Sequence, residues 1–496
     1  MKILLIYPQT QDHGNIPIAL TLLSAVLKKA GHGVEIFDCS WYDTQKSITA
    51  KKESRGMFKP TPPAPVEPPP QGKIENLEKD LTDAVNIHGA DVVGITSTSG
   101  TYPQGLICCK FVKKNCPKAL IIMGGIHPTV CPEEVILEDC VDVICIGEGE
   151  DAFVEMCDAI EAKRSINRIK NLWVKDANDR KHLHKNPLRP LKDLDSLPAQ
   201  DFSGFHEYEF YSPLAGNLYK MLNTDLSRGC PFKCHYCSNC YLQGLFKELG
   251  TYHRRKSPGI AIKQIKELKE KYQFNAVRFW DEDFTVFPNS YLKELTKLYK
   301  KEIGLPFVVY AGTRTVTEEK VGYLKEMGCT TMAMAIESGN YWVRKNILNR
   351  DITDEDIVEK YAIVKESGIR VSAYNMIGLP FETRTMVFDT IRLNRRVKPA
   401  TSSVAAWMPY PKTRLSRIAK EYGMVKDNVD FSGLYTSLES PHLSSVDIDG
   451  LLRTFSFYTK LPEEFFPDLE KCEKDESFAN EKFPEMLKYM QEHGIE

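Results

Sequence analysis

Three cysteines, Cys230, Cys234 and Cys237, fall in the run Cys230-Pro-Phe-Lys-Cys234-His-Tyr-Cys237, directly after the strand-like segment 221–227. Thiols spaced CxxxCxxC suit an iron–sulfur cluster with one iron left without a protein ligand. A fourth thiolate would complete a [4Fe–4S] site and leave an electron carrier, whereas three leave a position where a substrate or cosubstrate can bind and receive an electron. A structural zinc knuckle is the competing reading, because Cys240 makes a second CxxC with Cys237 and His235 stands between two cysteines. Zinc needs four ligands, usually as two separated pairs, so Cys240 is read as a cysteine packed beside the cluster.

These thiols need a frame, and the sequence offers one. From residue 221 onward, apolar strand-like runs alternate with helical periodicity: strands at 221–227, 276–280, 307–311, 330–336, 370–377 and 402–407, with helices at 258–272, 290–300, 318–327, 354–366 and 383–395. This pattern predicts a partial (β/α)6 barrel over 221–414, an architecture whose chemistry gathers at the carboxyl ends of its strands. Candidate ligand contacts stand at those ends. Asp281-Glu282-Asp283 follows the second strand, Arg314 the third, Glu337-Ser338-Gly339 the fourth and Gly378-Leu-Pro-Phe-Glu382 the fifth. Carboxylates match an ammonium group, which offers only donors, and a guanidinium fork matches a carboxylate.

A separate α/β alternation precedes the barrel. Strands at 2–7, 34–38, 91–96, 120–124 and 141–146, with helices at 16–30 and 104–114, predict a doubly wound parallel sheet over residues 1–160, where ligands bind beyond the strands' carboxyl ends. Four loops there carry small or hydroxylated residues: Pro8 to Asn15 with Thr10, Thr96 to Gly100 with Ser97, Thr98 and Ser99, Gly124-Gly125 with His127 and Thr129, and Gly147-Glu148-Gly149. Together they can line a long groove for a large polar ligand. A proline-rich insertion at 59–72 is read as exposed and extended. Residues 161–220 read as a linker with a small hairpin, and 415–496 as a helical cap without a motif.

The CxxxCxxC spacing resembles that of the radical S-adenosylmethionine (SAM) superfamily, and the N-terminal loops resemble the cobalamin-binding domain that precedes many radical SAM cores. On both resemblances, residues 1–410 are similar to the class B methyltransferase branch of cobalamin-binding-domain radical SAM enzymes. The resemblance implies a [4Fe–4S] cluster on the three cysteines, with SAM chelating the open iron. It implies that Tyr236 lies near the adenine, that Asp281 and Asp283 hold the SAM amino group, and that Glu337 and Ser338 contact ribose or amino-acid atoms. Arg314 would pair with the SAM carboxylate or with Glu337, and Gly378 would turn beneath the adenine. In that branch a 5′-deoxyadenosyl radical removes hydrogen from an unactivated carbon, which then takes methyl from methylcobalamin. Families that ligate cobalt with histidine carry DxHxxG, whereas Asp12-His13-Gly14 lacks the spacing, so cobalamin without a histidine beneath the cobalt is expected. The alternatives are a non-methylating enzyme of oxidative-cyclase or ring-rearrangement type, and a cluster or cobalamin protein that senses or carries electrons.

Composition narrows the partners. With 65 Lys+Arg against 67 Asp+Glu, no broad basic surface for nucleic acid is expected. The 14 cysteines are too dispersed for a small disulfide scaffold, which favours a reducing cytoplasm. No stretch approaches a membrane span. A small-molecule, lipid or peptide substrate and an external donor such as ferredoxin or flavodoxin complete the expected set.

Overall fold

The computed structural model of the protein describes residues 1–9, 16–43, 62–176, 179–427, 429, 431 and 435–495. The described residues form two compact units, one built mainly from Pro63–Ser212 with the N-terminal residues and Phe246–Arg254, the other from Pro213–Leu245 and Arg255 onward.

The first unit is a seven-stranded sheet. Its order runs Gly33–Asp38, Lys2–Tyr7, Val92–Thr96, Leu120–Gly124, Val143–Cys145, Leu172–Lys175, Leu183–Lys185. The first five strands are parallel and almost wholly apolar, as strands covered on both faces by helices must be. In chain order they run 2-1-3-4-5. The strand order therefore reverses between Lys2–Tyr7 and Val92–Thr96, and a crevice opens beyond their carboxyl ends. Described residues 62–71 of the proline-rich insertion form neither helix nor strand and are largely exposed; Lys59, Pro60 and Thr61 lie outside the described residues.

The structure treats 161–220 differently from the expected linker. The hairpin strands Leu172–Lys175 and Leu183–Lys185 continue the first sheet, antiparallel to Val143–Cys145 and to each other. The reason is burial: Leu172 is 0% and Val174 3% exposed, and a strand with these two side chains on one face is stable only over an existing sheet edge.

The second unit holds six parallel strands in chain order: Asn217–Thr224, Ala276–Phe279, Phe307–Gly312, Cys329–Glu337, Arg370–Ile377 and Thr401–Ala406. A seventh, Tyr211–Leu214, precedes the first through a turn with positive φ at both Ala215 and Gly216, the signature of a two-residue hairpin. Among the described residues the last strand does not pair with the first, so the sheet is an open half-barrel. Its helices start where the sequence asks them to. Thr353 and Asp356 form a reciprocal capping box on Asp354–Glu366, and Thr317 caps Glu318–Met327, each satisfying amides that a helix start leaves unpaired.

The C-terminal helices Arg414–Glu421, Ser445–Lys460, Phe466–Lys474 and Glu476–Glu492 share a core with the last two barrel strands. Trp407, Phe455, Phe457 and Tyr458 are fully buried in it. Arg384, at the start of helix Arg384–Val397, reaches Glu473 at 2.6 Å and 2.9 Å, and the Tyr458 hydroxyl donates to the same carboxylate at 2.6 Å. Among the described residues, no helix is long and apolar enough to cross a membrane.

Gly450 lets two of these helices touch, since a Cβ there would stand 2.3 Å from the Glu473 carbonyl oxygen. Alanine in a helix interior ordinarily gains about 1 kcal/mol over glycine. Here Gly450→Ala should instead lose about 1 to 3 kcal/mol, the usual result of overpacking, and lower the melting temperature followed by circular dichroism. A raised melting temperature would show that the helices do not approach this closely.

Candidate active site

The cysteine loop leaves the first barrel strand through Ser227–Arg228 and ends in the helix Asn239–Leu245. Gln243 on that helix reaches back, donating to the carbonyls of Cys230 at 2.8 Å and Phe232 at 2.7 Å. Asn349 donates to the Lys233 carbonyl at 2.7 Å. His235 is bound on both sides: its amide donates to the Leu348 carbonyl, its Nδ1 lies 3.0 Å from the Ile347 carbonyl, and its own carbonyl accepts from Leu415 N. Burial lowers its pKa. Among the described residues, no three of Cys230, Cys234, His235, Cys237 and Cys240 bring ligand atoms within 4.8 Å of one another. Burial pushes the Cys230 thiol up to about 12 and the Cys237 thiol up to about 11, and bound iron would reverse this by taking the thiolates.

Tyr236, inside the cysteine motif, donates its hydroxyl to Glu337 Oε1 at 2.7 Å. Glu337 ends the fourth strand at φ +66, where the pairing with the fifth strand slips by one residue between Ala335 and Glu337. Its guanidinium partner is Arg350, whose Nη1 stands 3.8 Å from Glu337 Oε1 and 3.3 Å from the Tyr236 oxygen, while Nη2 donates to the Ala335 carbonyl. The expected pairing of Arg314 with Glu337 is thereby corrected. Arg314 lies 4.2 Å over the Phe232 ring with Nη2 3.8 Å from Cys234 Sγ, since the third strand ends on the side of the cysteine loop. Ser338 is fully buried and gives its carbonyl to Arg344. A Cβ on Gly339 would stand 2.3 Å from the Asp389 carbonyl oxygen, so this residue is small for helix packing rather than for a ligand.

The three acids after the second strand separate by role. Asp281 is 1% exposed and accepts from Leu226 N and from the Ser227 hydroxyl; burial raises its pKa to about 7. Asp283, 4% exposed, accepts from the amide and hydroxyl of Thr285 and from Thr315. Both expected SAM contacts therefore have their carboxylates committed to scaffold bonds. The residue between them is open. Glu282 is solvent-exposed, yet its carboxyl is pushed up mainly by burial, and it raises the thiols of both Cys230 and Cys237. Asn239 bonds Glu282 and donates to Cys237 Sγ at 3.6 Å.

Gly378 turns at φ +71, and a Cβ there would meet Ile448 at 3.0 Å and Thr436 at 3.1 Å. The close approach expected for an adenine is here an approach to the C-terminal helix. Sequence reading also missed Arg350 and Asn239, and named Glu282 only within its tripeptide, with the role given to its two neighbours. Only Glu282 had a visible signal, the alternation along its tripeptide, which turns the middle side chain opposite to its neighbours.

In the first unit, hydrogen bonds join the expected loops in series. Ser97 N donates to the Gly124 carbonyl and His127 N to the Ser97 carbonyl; Thr129 Oγ1 donates to the Gly125 carbonyl at 2.8 Å and accepts from Gly147 N at 2.9 Å. His127 is 5% exposed, stacked on Tyr102 with centroids 4.1 Å apart and its Nδ1 3.2 Å from Ser99 Oγ. Thr98 is exposed, and Gly149 begins the helix Glu150–Glu161. Two expectations change. Glu148 is an ion-pair partner of Arg254 and accepts from Lys192 N, so its carboxylate serves this unit. At Gly125, φ +101, a side chain would strike the Ser97 backbone at 2.7 Å, so the glycine is needed by the loop itself. Thr10 and His13 lie outside the described residues.

The B12 binding domain model matches residues 66–156, and the radical SAM superfamily model matches residues 224–393. The chain belongs to the radical SAM enzymes with a B12-binding domain. The enzyme is 26% identical over 397 residues to an uncharacterized methyltransferase of Pyrococcus horikoshii, covering 78% of this chain and 84% of the relative. It is 22% identical to the anaerobic magnesium-protoporphyrin IX monomethyl ester cyclase of Rubrivivax gelatinosus, covering 71% of this chain and 62% of that protein. The fold matches the radical SAM methyltransferase TsrM of Kitasatospora setae with a TM-score of 0.62 at 15% identity, over 86% of this chain and 77% of the other.

The cofactors of this family are a [4Fe–4S] cluster, SAM and cobalamin, and the residues present fit them. The cysteine loop carries three thiols and no fourth ligand set, as a cluster with an open iron requires. In the first unit Ser97 Oγ is buried without a hydrogen-bond partner among the described residues, and a Cβ on Gly124 would meet only Cys145, at 3.6 Å, which leaves that edge open to a large polar ligand.

Anaerobic reconstitution of the wild type should give about four irons and four sulfides in one cluster. Cys230→Ala, Cys234→Ala and Cys237→Ala should each lose it, and Cys240→Ala should keep it, as read by iron analysis and the visible spectrum. A cluster kept in Cys230→Ala and lost in Cys240→Ala would reassign the ligands.

Proposed function

We propose that this enzyme transfers a methyl group to an unactivated carbon. The observation that carries the reading is the grouping, at one mouth of the half-barrel, of a three-cysteine loop with two carboxylates next to it: Glu282, bonded by Asn239, which also donates to Cys237, and Glu337, fixed by Tyr236 and Arg350. A B12-binding domain in the same chain supplies the second reagent site. The methyltransferase names borne by relatives in Pyrococcus horikoshii and Chlorobaculum tepidum agree with it.

When bound, the cluster with SAM supplies a hydrogen-abstracting radical and cobalamin a methyl carrier. This chain's own residues then have distinct tasks. Cys230, Cys234 and Cys237 hold the cluster. Glu282 accepts hydrogen bonds from the SAM ammonium, the role expected of Asp281 and Asp283, which instead hold it in position. Arg314, beside Cys234, attracts the SAM carboxylate. Glu337 accepts from ribose hydroxyls, with Ser338 and Gly378 shaping the turns beneath, and Tyr236 presents its ring edge to the nucleoside. Ser97, Thr98, Ser99, Gly124, Gly125, His127, Thr129, Gly147 and Gly149 line the cobalamin edge.

The same residues would serve an oxidation or ring closure without methyl transfer, the chemistry named for the relative in Rubrivivax gelatinosus. Products separate the two. With its substrate, a methyltransferase should form 5′-deoxyadenosine, S-adenosylhomocysteine and methylated product in equal amounts; consumption of substrate without S-adenosylhomocysteine selects the cyclase-like reading. Glu337→Ala should keep its iron and cobalamin while 5′-deoxyadenosine formation falls about tenfold or more, the loss expected when hydrogen bonds of roughly 1.5 to 3 kcal/mol to a charged group are removed. Normal turnover by this variant would remove Glu337 from the SAM site.

A further inference from the structure

Strand residues of the half-barrel alternate between two faces, and one face is accounted for by helices. Phe279 and Phe307 pack against Tyr299 of the helix Asn289–Glu302, and Val309, Met334, Ala373 and Ala406 on the same parity are buried. The other parity faces inward. A closed barrel fills that space with layers of bulky branched side chains, but here the fourth and sixth strands contribute Ala333, Ala335, Ser403 and Ala405, with Ala405 exposed. Space is left in which larger residues stand uncovered.

Those larger residues are aromatic and adjoin one another on that face. Trp280, 41% exposed, is stacked on Tyr310 with centroids 5.0 Å apart and planes 19° from parallel; Tyr310 continues to Tyr374 at 6.2 Å and 34°. Tyr374 is 37% exposed. The indole nitrogen donates to Asn223 Oδ1 at 3.1 Å, so the ring is fixed at its edge and its polar atom is satisfied. Arg278, two residues before Trp280 on the same face, holds its guanidinium 5.6 Å from the indole centroid. Among the described residues no carboxylate lies within ion-pair distance of it; its hydrogen bond is to the Pro213 carbonyl, at 3.5 Å. Trp280 and Tyr310 lie two residues before Glu282 and Gly312, and Tyr374 lies nearer the mouth, in register with Gly312 through Ala335.

From this we infer that Arg278, Trp280, Tyr310 and Tyr374 form the substrate platform, and that the substrate is a planar conjugated molecule bearing an anionic group. A flat π-system stacks on fixed aromatic rings at little entropic cost, and an anion answers the Arg278 guanidinium, which has no carboxylate within ion-pair distance among the described residues. A saturated lipid would gain burial but no stacking, and a neutral ligand would leave Arg278 without an ionic partner. The inference rests on the proposed function only in taking the barrel interior as the substrate's place.

The test is binding, with no turnover. Full-length reconstituted enzyme is titrated calorimetrically under anaerobic conditions with 2-naphthoate, with its neutral counterpart 2-naphthalenemethanol and with decahydronaphthalene-2-carboxylate, which keeps the charge and loses the π-system. The aromatic acid should bind one site at least about tenfold more tightly than either comparison, since stacking on one ring and a partly desolvated charge each carry about a factor of ten. Trp280→Leu should abolish the preference for the aromatic over the saturated acid. Arg278→Gln, at a half-exposed position, should abolish only the preference for acid over alcohol. Tyr374→Leu repeats the aromatic test should Trp280→Leu fail to retain its iron. Equal affinity for the three probes, no saturable site, or 2-naphthoate affinity unchanged in the aromatic variants would overturn the platform. Naphthoate binding with these preferences in an enzyme that forms no S-adenosylhomocysteine would refute the methyl-transfer reading and leave the platform standing.

Discussion

Around the Glu337 carboxylate the rest of the candidate site is assembled. It is 15% exposed, and removing one partner from a buried ion pair costs about 3 to 5 kcal/mol because a charge is left uncompensated. Its backbone sits at positive φ, which adds a further cost for a side chain of this kind. Arg350 and Tyr236 offset both. Because Tyr236 stands between Cys234 and Cys237, its bond to Glu337 also ties the middle of the cysteine loop to the fourth strand. The loop has further supports in Gln243, Asn349 and the bonds of His235, so this bond aligns Tyr236 with the carboxylate while the thiols keep holds of their own.

Much of the architecture was readable because it is written in periodicity. The barrel helices Glu318–Met327 and Asp354–Glu366 fall where the spacing of apolar residues puts them, and the N-terminal strands are apolar runs with little ambiguity. The hairpin at 172–185 was visible as a hairpin but not as part of the sheet, because pairing with Val143–Cys145 is a long-range choice that local pattern does not encode. Side-chain roles were harder. A buried acid at the end of the fourth strand demands a cation, but Arg314, Arg344, Lys345 and Arg350 all follow the third and fourth strands, and spacing does not choose among them. The structure spends Arg344 on Ser338 and Ile352 carbonyls and on Asp354, sends Arg314 to Phe232, and leaves Arg350 for Glu337.

Glycine was legible as a requirement and misleading as to its cause. Gly125, Gly339 and Gly378 each stand in a loop that resembles a ligand-binding turn, yet in each the atom that a Cβ would meet belongs to the protein: the Ser97 backbone, the Asp389 carbonyl, and Ile448. The first unit makes the same point with hydrogen bonds. Ser97, Gly124, Gly125, His127, Thr129 and Gly147 are joined to one another before any ligand is considered. An edge whose loops are already bonded meets a large ligand without having to order itself first, so less binding energy is lost on ordering them.

The three acids after the second strand have a consequence of another kind. Asp281 and Asp283 are clamped on either side, one to Leu226 and Ser227, the other to Thr285 and Thr315, while Glu282 between them owes the scaffold little. The tripeptide is in effect a mount with an interchangeable head. Its shape is guaranteed by the outer residues, and the chemistry offered beside the cysteines is decided by the middle one. Such a division lets the fold stay constant while position 282 drifts among side chains of different charge and length, so that new reactivity can be sampled here without the folding cost that usually accompanies change at a buried site.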